Sequence, residues 1–446
     1  MKFRTKPLVA VVSGLFAGAL LFSGSAVAGS QPAAAQDTGA TSATQTQTVS
    51  IVMQLRNTDK LNKFIADSVD PNSRQYLQFL SVEEFAERFG PSESDIAQVV
   101  SALNQLGIQV TEIYRSHLVI RATGTTAQLN QFFSTEVHNY TQNGLSYTKP
   151  STPVVIPGAL SNIVLTVTGL DTKPKVHKMS KNMGTTAVGV NPDPVKTAAL
   201  LNNVATTNAP GTFTVADFAQ LYNVNPLYKL NILGQGSNIG IATLATFTPS
   251  DAYTYWESLG LKVHHDKIKQ VHVDGGAGTD GSDETTLDVE QSGGIAPAAK
   301  VYVYDGPNTD QGFSDIFFKA ADENKVDTLS VSWGGPEIAQ DPSLIAAQHE
   351  AFLELAAQGI PVFASAGDSG AYDINDQNYP YTFPTCSTLL SVDSPSSDPL
   401  VVAAGGLTLA HTEQHKYGVV TVSKDRPWAW DYLQNYMITN YGDAFY

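Results

Sequence analysis

Four short apolar runs, at residues 239–244, 300–304, 328–333 and 360–366, constrain this chain more than any other feature. Helical stretches at 313–324 and 344–357 separate the later runs. A near-continuous apolar strand has to be covered on both faces, and strands separated by a helix pair in parallel. The expected architecture from residue 211 to residue 446 is therefore α/β, a parallel sheet with helices packed on it. Ligands of such sheets bind beyond the carboxyl ends of the strands. Two strand ends there are unusual: Ser332, Trp333 and Gly334 with the Gly335-Pro336-Glu337 that follows, and Gly367-Asp368-Ser369-Gly370.

A second unit precedes this one, at residues 49–172. Val49, Ile51 and Met53 alternate onto one strand face, and Ser81 with Glu84 makes a capping box at a helix start. Ile96, Val99, Val100, Leu103 and Leu106 follow helical spacing. Strand-like stretches at 108–114 and 117–122, a helix begun by Thr125 and a last strand at 163–167 complete the order β-α-β-β-α-β. That order is the α+β, ferredoxin-like arrangement. Residues 29–48, rich in Ala, Ser, Thr and Gln, read as a disordered leader. Residues 173–210, with Lys173, Lys175, Lys178 and Lys181 and then Pro192 and Pro194, read as a cleavable linker.

Composition narrows the function. The 446 residues carry 26 Lys+Arg against 42 Asp+Glu, a formal net charge of −16. A chain so poor in cations is not built to neutralise phosphates, so no nucleic-acid partner is expected. Few permanent cations also suit an acidic medium, in which carboxylates lose their charge. The single cysteine, Cys386, excludes an internal disulfide framework and any cysteine-cluster metal site, and reads as an inert thiol. Lys2, Arg4 and Lys6, then an apolar run and Ala26-Val27-Ala28, form a secretory signal peptide over residues 1–28. The expected product is secreted and extracellular, with no membrane attachment once the signal is removed.

The chemistry centres on Glu284 and Asp288. A helix capped by Ser282 or Asp283 places these two carboxylates at i and i+4 on one face. Held close in a partly dry cleft, they share a proton, and one titrates high. A serine hydroxyl can then lose its proton to Glu284 in acid, where a histidine base is already protonated. Other residues offer weaker candidates. Ser369 imitates an active-site serine segment but sits in a parallel sheet, and His264, His265 and His272 lack the spacing of a helical zinc pair, so no metal ligand is assigned.

Taken together, Glu284-x-x-x-Asp288, Ile295-Ala296-Pro297, Ser330-Val331-Ser332-Trp333-Gly334 and Gly367-Asp368-Ser369-Gly370 resemble the sedolisins, the serine-carboxyl peptidases that include kumamolisin. The preceding unit, with Tyr76 to Phe79, Gly124-Thr125 and Gly169-Leu170-Asp171, is similar to their activation domain. The resemblance implies a subtilisin-like peptidase fold, here incomplete, with Glu284 as general base and Asp288 as the carboxylate orienting it. It makes Asp368 the protonated acid of the oxyanion hole, and Ser332, Trp333 and Gly334 the peptide-binding strand. Polypeptides are the implied substrates and the pro-domain an intramolecular partner. The family's nucleophile segment, Ser-Gly-Thr-Ser, would follow Gly405-Gly406 but occurs nowhere in the sequence. The family's calcium, whose ligands belong with that segment, has none identifiable in this chain. The expectation is an acid endopeptidase precursor lacking its nucleophile part and inactive alone. A non-catalytic chain whose pro-domain inhibits or assists related proteases remains the alternative.

Overall fold

The computed structural model describes residues 34–180, 213–375, 389–415, 417–429 and 431–441. The expected signal peptide, most of the expected linker and Cys386 lie outside them.

In the N-terminal unit, four antiparallel strands lie in the order Gln109–Ile113, Val119–Thr125, Thr46–Met53, Val164–Thr168. Helices Glu93–Gln105 and Thr126–Phe133 pack on one face of this sheet, each opened by a reciprocal capping box, Ser92 with Asp95 and Thr125 with Gln128. The pleat of Thr46–Met53 sorts its side chains. Val49, Ile51 and Met53 enter the core under these helices, with Val99, Leu103, Leu129 and Phe133. Ser50 and Val52 point the other way, towards the second unit.

The second unit is built on six parallel strands in the order Ile268–His272, Lys300–Asp305, Asn238–Thr243, Thr328–Val331, Val362–Ser365, Val401–Ala404. Pro249–Ser258 and Ser282–Ile295 cover one face through Trp256 and Val289, against Ile241, Val301 and Val303. Asp310–Glu323 and Pro342–Ala357 cover the other through Phe313, Ile316, Phe317 and Phe352. These two helices are shared, because their outer side meets the four-stranded sheet. Ser50 Oγ donates to Asp315 at 2.5 Å, and the Arg115 amide donates to Asp322 at 2.5 Å. Arg121 forms an ion pair with Asp274 and lies 3.9 Å from the fully buried Asp315.

Three expectations need correction. Residues 36–40 of the supposed disordered leader form the strand Gln36–Ala40, which pairs with Val137–Gln142, and Thr46–Met53 takes up the last three residues of the leader. The first pairing is a backbone ladder, and Gln36–Ala40 has almost no apolar pattern to announce it. The apolar run at 328–333 is not one strand. It leaves the parallel sheet at Ser332, and Trp333–Pro336 pairs instead with Asp393–Ser394 and with His177–Lys178. Residues 173–180 of the expected linker are likewise not free, since they hold the strand His177–Lys178.

Phe317 is fully buried between Phe313 and Phe352, with ring centroids 5.4 and 5.0 Å away. Phe317→Ala should lower stability by about 3–5 kcal/mol, read as a fall in the midpoint of urea unfolding. A loss below about 1 kcal/mol would contradict the packing described.

Candidate active site

The helix Ser282–Ile295 is fixed at both ends. It opens at Gly281, whose φ of 89° lies in the left-handed region. A Cβ at Gly281 would meet the Trp333 ring at 2.7 and 2.8 Å, so glycine is required twice over. The expected cap from Ser282 or Asp283 does not form: no side chain caps this helix, and Ser282 Oγ donates back to Thr279 O at 2.7 Å. Asp283 and Glu284 in the first turn complement the helix dipole instead. Near the other end Gly293 and Gly294 let Trp256 and Val215 approach to 2.6 Å of where a Cβ would stand. The buried Lys267 ammonium donates to the carbonyls of Ala296, Pro297 and Ala299, and burial pulls its pKa down to about 8.

Between these anchors, Glu284 and Asp288 face inward. Glu284 is 3% exposed, and its Oε2 has no hydrogen-bond partner. Asp288 Oδ1 accepts from Ser332 Oγ at 2.8 Å, while its Oδ2 is buried without a partner. Burial, and then the neighbouring Glu284, push the Asp288 carboxyl up to about 8. Burial also raises Glu284; Asp283 and Asp368 act in the same direction, and Ser180 and Lys178 oppose it. Asp368, just beyond Val362–Ser365, is thus near enough for its charge to act on Glu284. Gly367, at φ 80°, makes the turn before it. The structure gathers Glu284, Asp288, Ser332 and Asp368 beyond the carboxyl ends of the parallel strands. Two like-charged groups in a desolvated site retain a proton between them, so this pair can hold and exchange a proton.

Trp333 lies in the strand expected to engage peptide through its backbone. Its ring is buried in the core rather than presented to a ligand. The indole Nε1 donates to Thr243 Oγ1 at 3.0 Å, Thr243 and Thr285 share a 2.7 Å hydroxyl bond, and Thr285 Oγ1 donates to Ala245 O at 2.8 Å. The run from indole to carbonyl is electrically neutral and satisfies every polar group in it. It pins Trp333 from behind, leaving the backbone of Trp333 and Gly334 to face the cleft.

That backbone is occupied. Lys178 lies opposite Trp333 and His177 opposite Gly334 in an antiparallel pair, and the Met179 amide donates to Ser332 O at 2.8 Å. The approach is fixed upstream by Lys175, 2.5 Å from Asp310 and 3.1 Å from Asp171, and by Asn308 Nδ2, which donates to Val176 O at 2.9 Å. Lys178 forms an ion pair with Asp283, and Met179 is buried against Gly334. Sequence reasoning missed this strand. Two residues of strand are too few for a periodicity, and the partner lies more than 150 positions away.

A family model described as "Pro-kumamolisin, activation domain" matches residues 33–173. Over 388 residues the chain is 30% identical to kumamolisin of a Bacillus species, covering 84% of this chain and 64% of that protein. It is 28% identical over 392 residues to xanthomonalisin of a Xanthomonas species, covering 81% of this chain and 45% of the relative. With sedolisin of a Pseudomonas species the identity is 27% over 392 residues, covering 84% and 62%. The chain therefore spans less than two thirds of the length of each of these relatives.

Asp288→Asn tests the electrostatics. The ordinary value is 3.8 and the folded value about 8, so the folded state holds the proton more tightly and the parent loses stability as pH rises between them. The variant has no such loss. Its melting temperature should gain on the parent's from pH 4 to pH 8 and show no pH-dependent gain below pH 4. A difference flat across that range would contradict the burial of Asp288.

Proposed function

This chain belongs to the sedolisin family of peptidase precursors, and on that premise we propose that it is the secreted, self-inhibited precursor of an acid-active serine-carboxyl endopeptidase. The observation that carries the reading is the segment 176–180, paired with the Trp333–Pro336 strand beside Glu284 and Asp288. An extended peptide added to a strand edge is a common mode of peptide recognition. Here the N-terminal unit delivers its own trailing segment into that mode, which excludes other peptides.

In the proposed reaction Glu284 takes the proton of a serine hydroxyl as it attacks the peptide carbonyl. Asp288 shares the proton of the pair and is held by Ser332. Asp368, protonated, donates a hydrogen bond to the developing oxyanion; ionised, it would repel that charge, which ties the activity to acid. Ser332, Trp333 and Gly334 align the substrate by their backbone. We read the N-terminal unit as ferredoxin-like, supported by its antiparallel strand order with two helices on one face, and the parallel-sheet unit as subtilisin-like. Calcium, by the family resemblance, belongs with the Ser-Gly-Thr-Ser segment; among the described residues no group of three or more His, Cys, Asp or Glu side chains could hold a metal ion. Secretion rests on the sequence of residues 1–28. Among the described residues no helix is long and apolar enough to cross a membrane.

The Ser-Gly-Thr-Ser stretch does not occur in these 446 residues, so the purified chain should leave an unfolded protein substrate uncut at pH 4. Turnover abolished by Glu284→Gln would overturn that expectation. The mechanism is tested by extending the chain with the Ser-Gly-Thr-Ser segment of a relative. The chain joined to that segment should hydrolyse the substrate in acid, and Glu284→Gln should abolish the activity. A joined, folded chain with activity indifferent to Glu284→Gln would overturn the proposed mechanism.

A further inference from the structure

Strand pairing in the cleft is blind to side chains, because Ser332, Trp333 and Gly334 engage only backbone. What distinguishes one extended peptide from another is where its alternate side chains go. The resident segment answers this directly. Met179 turns to the inner side, buried beside Gly334; a Cβ on Gly334 would stand 3.0 Å from its terminal methyl. Lys178, opposite Trp333, turns to the helix Ser282–Ile295, where its ammonium meets the Asp283 carboxylate. Asp283 is adjacent in sequence to the inward-facing Glu284, so one helical turn presents one carboxylate to the cleft interior and the next to its rim.

The geometry points to a cation-selective subsite: we infer that Asp283 and the Trp333–Pro336 strand select extended peptides with a lysine or arginine where Lys178 lies, followed by an apolar residue of methionine size. The inference rests on reading the cleft as a peptide-binding groove. The charges around Lys178 favour it. Asp283 meets it directly, and Glu284 stands one residue further along the same helix. The Lys178 contact, followed by the amides of Asp283 and Glu284, holds the Asp283 carboxyl below its usual range, so it stays ionised in mild acid. The side chains of Lys178 and Asp283 remain 30% and 57% exposed, which sets a modest size for the effect.

The test uses the full chain with Lys178→Glu, which sets like charges against each other at Asp283. Hydrogen exchange at the Met179 amide should rise, and adding Asp283→Lys should restore protection; exchange unchanged by Lys178→Glu overturns the subsite. With the groove opened, fluorescently labelled Val-His-Lys-Met-Ser should bind about three- to fivefold more tightly than its Lys→Ala analogue. It should bind about tenfold more tightly than the Lys→Glu analogue, with the differences shrinking in 1 M salt. With Lys178→Ala and Asp283→Lys together, so that the resident residue brings no charge to the reversed rim, the order of the Lys and Glu peptides should reverse. Equal binding of the three peptides overturns the subsite and leaves the groove standing. No binding by any of them, in a variant that melts like the parent, overturns the groove reading and the subsite with it.

Discussion

The cleft depends on a single break in a strand, at Ser332. Up to Val331 the chain is an interior strand of the parallel sheet, with both edges paired. From Trp333 it has left the ladder and pairs antiparallel on both sides. Ser332 between them has its groups free for other work: its hydroxyl holds Asp288, and its carbonyl receives the Met179 amide. The departure is stabilised by Trp333, whose ring is buried and tied through Thr243 and Thr285 to the end of the neighbouring strand. Without that anchor the backbone of Trp333 and Gly334 would have no fixed position from which to pair with a peptide.

The same geometry explains why carboxylates here are buried at all. Glu284 and Asp288 are buried where the helix meets the break in the strand, with Ser332 on Asp288 and with Ser180 and Lys178 of the docked segment acting on Glu284. A buried carboxyl is costly when ionised, and the fold tolerates this pair because one proton neutralises much of it. The N-terminal unit meets the parallel-sheet unit through a similar chemistry. Asp315 and Asp322, on one helix, receive Ser50 and the turn at Arg115, and Arg121 lies over Asp315 and Asp274. These polar contacts lie beside an apolar interface in which Val52 and Val119 join the cluster of Phe313, Phe317 and Phe352. Docking on these two helices sets the direction in which residues 173–180 leave the N-terminal unit, and hence their entry into the cleft.

Much of this organisation was legible. Val49, Ile51 and Met53 announce their buried face by alternation, and the capping boxes at Ser81 and Thr125 form as the spacing implies. The hairpin joining Val137–Gln142 to Leu145–Pro150 carries its signal in the two residues of its turn. Asn143-Gly144 takes φ 52° and 82°, the left-handed pair that a two-residue hairpin demands. Gln36–Ala40 and His177–Lys178 had none, because each acquires its strand character from a partner more than 90 positions away.

By itself, the sequence determined the parallel sheet, the unit before it and the placement of two carboxylates four residues apart, since each follows from short-range periodicity acting on buried surface. Only the tertiary structure decided that Trp333 turns its ring away from the cleft, that Asp283 meets Lys178, and that residues 176–180 lie in the groove. Those outcomes depend on which surfaces meet after folding, and no local pattern encodes the distance between residues that are far apart in the chain.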